Sequence, residues 1–350
     1  MKKIKKPLTI CSTDWHLNKD NLEQIKDLVR QKIALANRYD IKTVFLLGDV
    51  YTSRKAIEEF ILNTFGEILD MFKDAGIKLI CIAGNHDKIN QEKKESYLTP
   101  FRNHPNFMLI ELCGGIPIGD IMFHMVPYFK DEVYVEQLDS LIEYIGKENF
   151  KTKKRFLLTH QSVNGVKNND GTKVVDGFDP DVFDLFDKVL VGHYHNRSKV
   201  GENVYYIGSI AANNFGEDNE KGFTLVYDDG SLGFEKSKFK EYHKFTIDLS
   251  KDTYTKLIDE HKTSDNNIRF EFVGKDEDFV QVDIDMIKSL GIDVKRKRQD
   301  VEATICVAEQ DEVIEFDSIT IMSEFDKFCA KENVADMEFG KSILKQALNK

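Results

Sequence analysis

The chain has 350 residues, of which 41% are hydrophobic, and 60 Asp and Glu against 49 Lys and Arg leave it a net charge of −11. That length allows two domains with an ample core, while the acidic balance argues against a general polyanion-binding surface, since nonspecific nucleic-acid affinity comes from Lys and Arg neutralising phosphates. No apolar run approaches the roughly 20 residues that span a bilayer, and the apolar stretch after the basic start (Lys2, Lys3, Lys5, Lys6) stops at Ser12, too soon for a secretory leader. Five scattered cysteines without a CxxC pair (Cys11, Cys81, Cys113, Cys306, Cys329) read as reduced thiols, so a cytoplasmic protein without membrane contact is expected.

In chain order, residues 8–12 read as a strand, 20–38 as an amphipathic helix (Leu22, Ile25, Leu28, Val29, Ile33), 42–47 as a strand, 54–73 as a helix and 77–83 as a strand. This is a βαβαβ unit with a parallel sheet. A less regular stretch follows, with a short helix at 93–101, a strand at 121–126 closed by Pro127 and a helix at 133–145. From 154 to 237 short strands dominate; 205–207, 222–227 and 232–235 look antiparallel, with Asp228-Asp229-Gly230 as a hairpin turn. The expected fold is therefore α/β, a two-layered β-sandwich flanked by helices over residues 1–240.

Composition shifts near Phe245. Strands at 244–249, 268–273 and 292–295 with helices at 253–261 and 279–290 make a small α/β module, placed at 241–308. Its run Lys295-Arg296-Lys297-Arg298 reads either as a phosphate-backbone contact or as a solvated charge run. After an acidic break at 309–312, helices at 318–331 and 336–349 form a third region, 309–350. Ile319, Met322, Phe325, Phe328 and Cys329 give the first of them an apolar face that either packs back on its module or binds another protein.

Five hydrophobic strands end in metal-capable residues: Asp14-Trp15-His16, Gly48-Asp49, Gly84-Asn85-His86-Asp87, His160, and Gly192-His193-Tyr194-His195. Parallel α/β sheets place their chemistry at the carboxyl ends of strands. Taken singly, each has a plain alternative: Asp49 as a helix cap, His160 as an ordinary hydrogen-bonded residue, Trp15 as core. Taken together they are hard to obtain from packing alone. Asp14, His16, Asp49, Asn85, His160, His193 and His195 offer oxygen and imidazole donors without thiolate, a set suited to hard or borderline divalent ions such as manganese, iron or zinc. Seven donors exceed one ion but suit two sharing a carboxylate, with Asp49 the natural bridge, and such a pair clamps attacking and leaving oxygens at phosphorus. His86, beside a ligand yet pointing elsewhere, is expected to face the scissile phosphate as an acid or transition-state stabiliser. His104, His124, His243 and His261 have no such company and are expected to be structural or surface residues.

The order Asp-x-His, Gly-Asp, Gly-Asn-His-Asp, His, Gly-His-x-His resembles the calcineurin-like metallophosphoesterases, and within them the SbcD-type nucleases of double-strand-break repair. Arg54-Lys55-Ala56-Ile57, Val126-Pro127-Tyr128 and Tyr206-Ile207-Gly208-Ser209 before Gly222-Phe223 look like the recombination endonuclease subunits of tailed phages. The resemblance covers residues 8–240 and thins beyond. It implies one metal on Asp14, His16, Asp49 and His195, a second on Asp49, Asn85, His160 and His193, and a catalytic His86 that holds no metal. It further implies two ions, manganese or else magnesium, with exonuclease action on duplex DNA ends and endonuclease action on single strands. The module would cap and guide DNA, the C-terminal helices would grip an SbcC-type ABC ATPase, and the protein would work as a homodimer, in host cytoplasm if phage-encoded. Thr52 stands where much of the family has a further histidine. Two other readings stay open: a phosphoesterase acting on a phosphoprotein or small phosphodiester, and a mainly structural partner of the ATPase.

Overall fold

In the computed structural model Met1–Gln299 form one unit, and the residues described within it are 5–147, 154–168 and 172–298. The expected helices at 318–331 and 336–349, with Cys306 and Cys329, lie outside the described residues.

Two mixed sheets face each other. The first contains β1 (Pro7–Ser12), β2 (Thr43–Leu47), β3 (Lys78–Ile82) and β4 (Phe107–Ile110). The second begins with β5 (Gly114–Ile118) and β6 (Ile121–Val126) and continues with β7 (Lys154–His160), β8 (Lys188–Gly192), β9 (Ser198–Val200) and β10 (Val204–Tyr206). The chain then returns to the first sheet as β11 (Gly222–Tyr227) and β12 (Leu232–Lys236), giving the orders β12-β11-β1-β2-β3-β4 and β5-β6-β7-β8-β10-β9. Helices α1 (Leu22–Arg38) and α2 (Glu59–Asp74) cover the first sheet and α3 (Asp131–Lys147) the second.

Alternation along the strands assigns each side chain to a layer. In β2, Val44 and Leu46 pack with the helices while Phe45 and Leu47 face the opposite sheet; β3 repeats this with Leu79 and Cys81 against Ile80 and Ile82. In β8, Val189 and Val191 lie in the cluster with α3 residues such as Leu138 and Leu141, and Leu190 faces inward. Both faces of these strands are buried, which is why they read as continuous apolar runs. Because β1, β2 and β3 run parallel, as do β6, β7 and β8, the loops after them emerge at one edge in each sheet.

Local chemistry moved several expected boundaries. Helix α2 starts at Glu59 and not at 54, because the Ser53 hydroxyl accepts the amides of Lys55 and Ala56 at 3.4 and 3.3 Å and holds that stretch as a turn. The helix expected at 93–101 shrinks to the 3₁₀ turn Thr99–Phe101, where Ser96 and Thr99 side chains take the backbone amides of Leu98 and Ser96. Strand β10 pairs parallel with β8 as well as antiparallel with β9, whereas β11 and β12 form the expected antiparallel pair.

The small module is a parallel three-stranded sheet, β13 (Tyr242–Asp248), β14 (Asn267–Gly274) and β15 (Asp293–Arg298), with α4 (Thr255–His261), α5 (Asp276–Phe279) and α6 (Ile284–Ser289). Its core gathers Ile247, Ile258, Phe270, Phe272 and Ile287. The helix expected at 279–290 is interrupted because the Asp283 carboxylate accepts the Met286 amide at 2.9 Å and caps a new helix. Within the basic run on β15, Lys297 pairs with Glu271 at 2.7 Å and Arg296 lies over the Phe279 ring, so two of its cations are engaged inside the module.

Candidate metal centre

The loops that carry the seven expected donors and His86 converge at the shared edge of the two sheets. The backbone departs from ordinary preference there: Asp14, His16, Asp49 and His193 all have positive φ, at 53°, 47°, 53° and 91°. Non-glycine residues rarely adopt that region, and where they cluster the surrounding structure must hold them. It does so through the β1 and β2 loops, which run side by side with Asp14 N donating to Gly48 O (3.0 Å), His16 N to Asp49 O (3.1 Å) and Leu17 N to Val50 O (2.8 Å). The buried Asp87 carboxylate adds a clasp, accepting the amides of Gly84 (2.8 Å), Val50 (2.9 Å) and Tyr51 (3.2 Å). The glycines are steric necessities: a Cβ on Gly84 would strike the Asp49 carboxylate, and one on Gly192 would lie 2.6 Å from His160 Nδ1.

Donor atoms of Asp14, His16 and His195 lie within 4.8 Å of one another, as do those of Asp49, His160 and His193. His16 Nε2 and His195 Nε2 face each other at 2.9 Å. Asp49 Oδ2 stands between the two sets, 3.8 Å from His16 Nε2 and 3.4 Å from His160 Nε2. Asn85 Oδ1 completes the second set, 3.1 Å from both His160 Nε2 and His193 Nδ1. In this orientation the Asn85 oxygen faces acceptors, and without a cation the amide would be better satisfied turned over, its nitrogen donating to His160, His193 and Asp49. A cation among those atoms would suit the oxygen-inward orientation, which sets the Asn85 amide nitrogen 2.6 Å from the Arg54 guanidinium. The donor set thus fits a divalent ion.

Hydrogen bonds behind the donors fix which nitrogen points inward. His160 Nδ1 donates to Leu47 O at 2.7 Å, and His195 Nδ1 donates to the Glu217 carboxylate at 2.8 Å, leaving both Nε2 lone pairs to the centre. The imidazoles differ in how readily they take a proton. Burial pushes His16 down to about 3, reinforced by His195, and pushes His193 down to about 3, reinforced by His160. At His160 burial acts downward but Asp49 outweighs it and raises the imidazole to about 9. Burial would raise the Asp49 carboxyl, yet His160 and His16 hold it well below the usual range.

His86 sits at the mouth. Its amide donates to Asp49 Oδ1 at 2.9 Å, Nδ1 donates to Thr52 O at 2.5 Å, and Nε2 accepts from the Arg54 guanidinium at 3.1 Å. Its ring lies edge-on to His16, and a third donor grouping joins it with His16 and Asp49. Both ring nitrogens are nonetheless occupied by other partners. Thr52 contributes through its carbonyl and through its hydroxyl, which donates to His16 O at 2.7 Å. Elsewhere, His104 contacts Asp70, His243 contacts Glu241, His261 packs on Phe245, and His124 is buried in β6 against Phe186.

Sequence reasoning missed Glu217, Lys221 and the clasp of Asp87. For Asp87 the available signal was its position three residues after Gly84 in the Gly-Asn-His-Asp motif; Glu217 lies in an irregular loop with no strand end to mark it.

A bipartite α/β sandwich with histidines and carboxylates gathered at its strand ends defines a metallophosphoesterase. The calcineurin-like phosphoesterase model matches residues 8–197, more than half of the chain, and the chain belongs to that family. Among named relatives it is 27% identical over 220 residues to exonuclease subunit 1 of Enterobacteria phage T4, covering 61% of this chain and 62% of that one. It is 26% identical over 246 residues to the SbcD subunit of the SbcCD nuclease of Staphylococcus epidermidis, covering 62% and 65%. A phosphoesterase candidate, 244L, of Invertebrate iridescent virus 6 is 25% identical over 229 residues, covering 63% of this chain and 76% of its own. The match thus spans under two thirds of both nuclease subunits.

Proposed function

We propose that the protein is a two-metal DNA nuclease, exonucleolytic on duplex ends and endonucleolytic on single strands, working in a reducing cytoplasm with a coiled-coil ABC ATPase. The observation that carries the two-metal reading is the single oxygen Asp49 Oδ2, within 3.8 Å of His16 Nε2 on one side and 3.4 Å of His160 Nε2 on the other. Asp14, His16 and His195 would hold one ion and Asn85, His160 and His193 the other, with Asp49 common to both and manganese the preferred metal. Two such ions supply Lewis acidity toward phosphoryl oxygens and a water of lowered pKa. The chain's own residues do the rest. Bonds from His160 and His195 to Leu47 O and Glu217 keep their Nε2 atoms aimed inward, and the exposed Arg54 guanidinium is of the type that pairs with phosphate. His86, with its ring nitrogens bonded to Thr52 O and the Arg54 guanidinium, assists at the phosphate and binds no metal.

The names of two relatives, each a nuclease subunit of a complex, support DNA as substrate and a protein partner. In this reading the module beginning at β13 caps the site and residues 309–350 bind the ATPase, with the nuclease acting as a homodimer. The test is digestion of end-labelled linear duplex DNA in manganese, magnesium and chelator, beside bis-p-nitrophenyl phosphate. Manganese-dependent shortening is expected. Hydrolysis of the small diester without any DNA cleavage, even with the ATPase and ATP added, would overturn DNA as the substrate.

A further inference from the structure

The loop from Asn213 to Lys221 touches both His195 and the small module. At one end, Glu217 accepts from His195 Nδ1 at 2.8 Å through Oε1, and Asn214 Nδ2 also donates to Oε1 at 3.1 Å. Its other oxygen meets Lys221 Nζ at 3.2 Å, and both side chains are fully buried. Lys221 in turn donates to the backbone carbonyl of His195 at 2.7 Å and to Asn196 Oδ1 at 2.8 Å. His195 is therefore held from its ring and from its backbone by one buried ion pair. At the other end the loop is sewn to the small module: Asn219 Nδ2 donates to Tyr242 O at 2.9 Å, and Tyr242 N donates back to Asn219 Oδ1 at 3.0 Å. Phe215 stands edge-on to Tyr242, and the Arg269 guanidinium of β14 lies 4.0 Å over the Phe215 ring.

We infer that Glu217 is a positioning residue for His195, and that through Asn219 and Phe215 the same loop makes the seat of the His195-side ion depend on the docking of the small module. A buried ion pair is costly to desolvate, and the bonds from His195 and Asn214 to Glu217 and from Lys221 to His195 O and Asn196 help offset that cost. Here it fixes an imidazole tautomer, and carboxylates behind metal-binding histidines contribute about 10–100-fold in affinity. The other ion's donors have no bond to this loop among the described residues, so the effect is one-sided. This inference rests on the two-metal reading, and a single experiment separates the two.

The full-length protein is titrated with Mn²⁺ by calorimetry and by EPR, which distinguishes an exchange-coupled manganese pair from a lone ion. Two charge-balanced double variants are compared. Glu217→Gln with Lys221→Met keeps an acceptor for His195 Nδ1, whereas Glu217→Leu with Lys221→Met removes it from the same buried, uncharged setting. The Gln variant is expected to bind both ions within about threefold of wild type, and the Leu variant to lose about 10–100-fold at one site only, showing the lone-ion spectrum at intermediate manganese. Asn219→Ala, which leaves every charge in place, is expected to weaken that same site several-fold. Equal losses in the Gln and Leu variants would make the pair a structural prop, and wild-type titration of either the Leu variant or Asn219→Ala would overturn the inference. Failure of the wild type to bind two ions would instead overturn the two-metal reading.

Discussion

Asp49 is asked to do three things at once: its Oδ2 faces both donor sets, its Oδ1 takes the His86 amide, and its backbone sits at positive φ. Asp49→Asn keeps the shape but replaces one anionic oxygen by an amide donor that faces His16 and His160. Calorimetric titration of that variant should show at least one ion lost and no measurable phosphodiester hydrolysis; two ions bound at wild-type affinity would refute the bridge. His86 makes a contrasting case. Its Nδ1 proton is committed to Thr52 O and its Nε2 accepts from Arg54, so it gives up no lone pair to the donor sets. His86→Ala should therefore retain both ions while turnover of bis-p-nitrophenyl phosphate falls about 10²–10⁴-fold, the range for a lost acid–base or stabilising group. Loss of an ion in this variant would make His86 a ligand after all.

Elements carry the site by how closely their ends approach one another. The β2 and β3 loops touch at Gly48 and Gly84, where a Cβ on Gly48 would lie 2.6 Å from Gly84 N, so neither position tolerates a side chain. Gly84→Ala should cost about 1–3 kcal/mol by overpacking, read as a lower denaturant midpoint at unchanged slope, and should weaken metal binding as the Asp49 carboxylate is displaced. Beneath the same loops, helix α1 buries Lys32, whose ammonium donates to Ser12 Oγ and Phe45 O, each at 2.8 Å. Burial lowers it to about 7. The folded state then releases this proton while the unfolded chain keeps it up to about pH 10, so between those values unfolding takes up a proton and stability rises with pH. Lys32→Met should be more stable than wild type at pH 7, and the difference should shrink as pH rises toward 10. Chemical denaturation at a series of pH values checks this, and a constant difference would contradict it.

The strand ends were legible because buried parallel strands write themselves as apolar runs, and a polar residue after Leu47, Ala83 or Leu158 interrupts such a run visibly. Turn chemistry was less legible. Ser53, Ser96 and Asp283 each redirect a helix with a side-chain bond to backbone, and such bonds compete with helical periodicity without altering it. Glu217 was invisible for a further reason: Lys221 lies four residues on, but His195 is 22 residues away and no spacing encodes that meeting.

At the scale of the whole molecule, charge and architecture pull in different directions for a protein proposed to act on DNA. The net charge is −11, and of the basic run on β15 Lys297 is already paired and Arg296 already stacked within the module. That run then offers fewer cations to displace counterions from a duplex than its sequence suggests. Affinity of a protein for DNA falls with log salt in proportion to the phosphates it neutralises, with a slope of about −0.9 for each. With the proposed grip confined to the metal centre and Arg54, the protein alone should bind duplex DNA weakly and with a shallow slope, equivalent to only about one to three phosphates. If the proposed ATPase partner supplies basic surface, adding it should steepen the slope and tighten binding, whereas a chain truncated before residue 313 should hydrolyse the small diester normally and show no such change. Fluorescence anisotropy with a labelled duplex across a salt series, with and without the partner, measures both quantities. A steep slope for the isolated chain would mean that the module itself tracks the backbone, and a slope indifferent to the partner would remove the ATPase from DNA delivery.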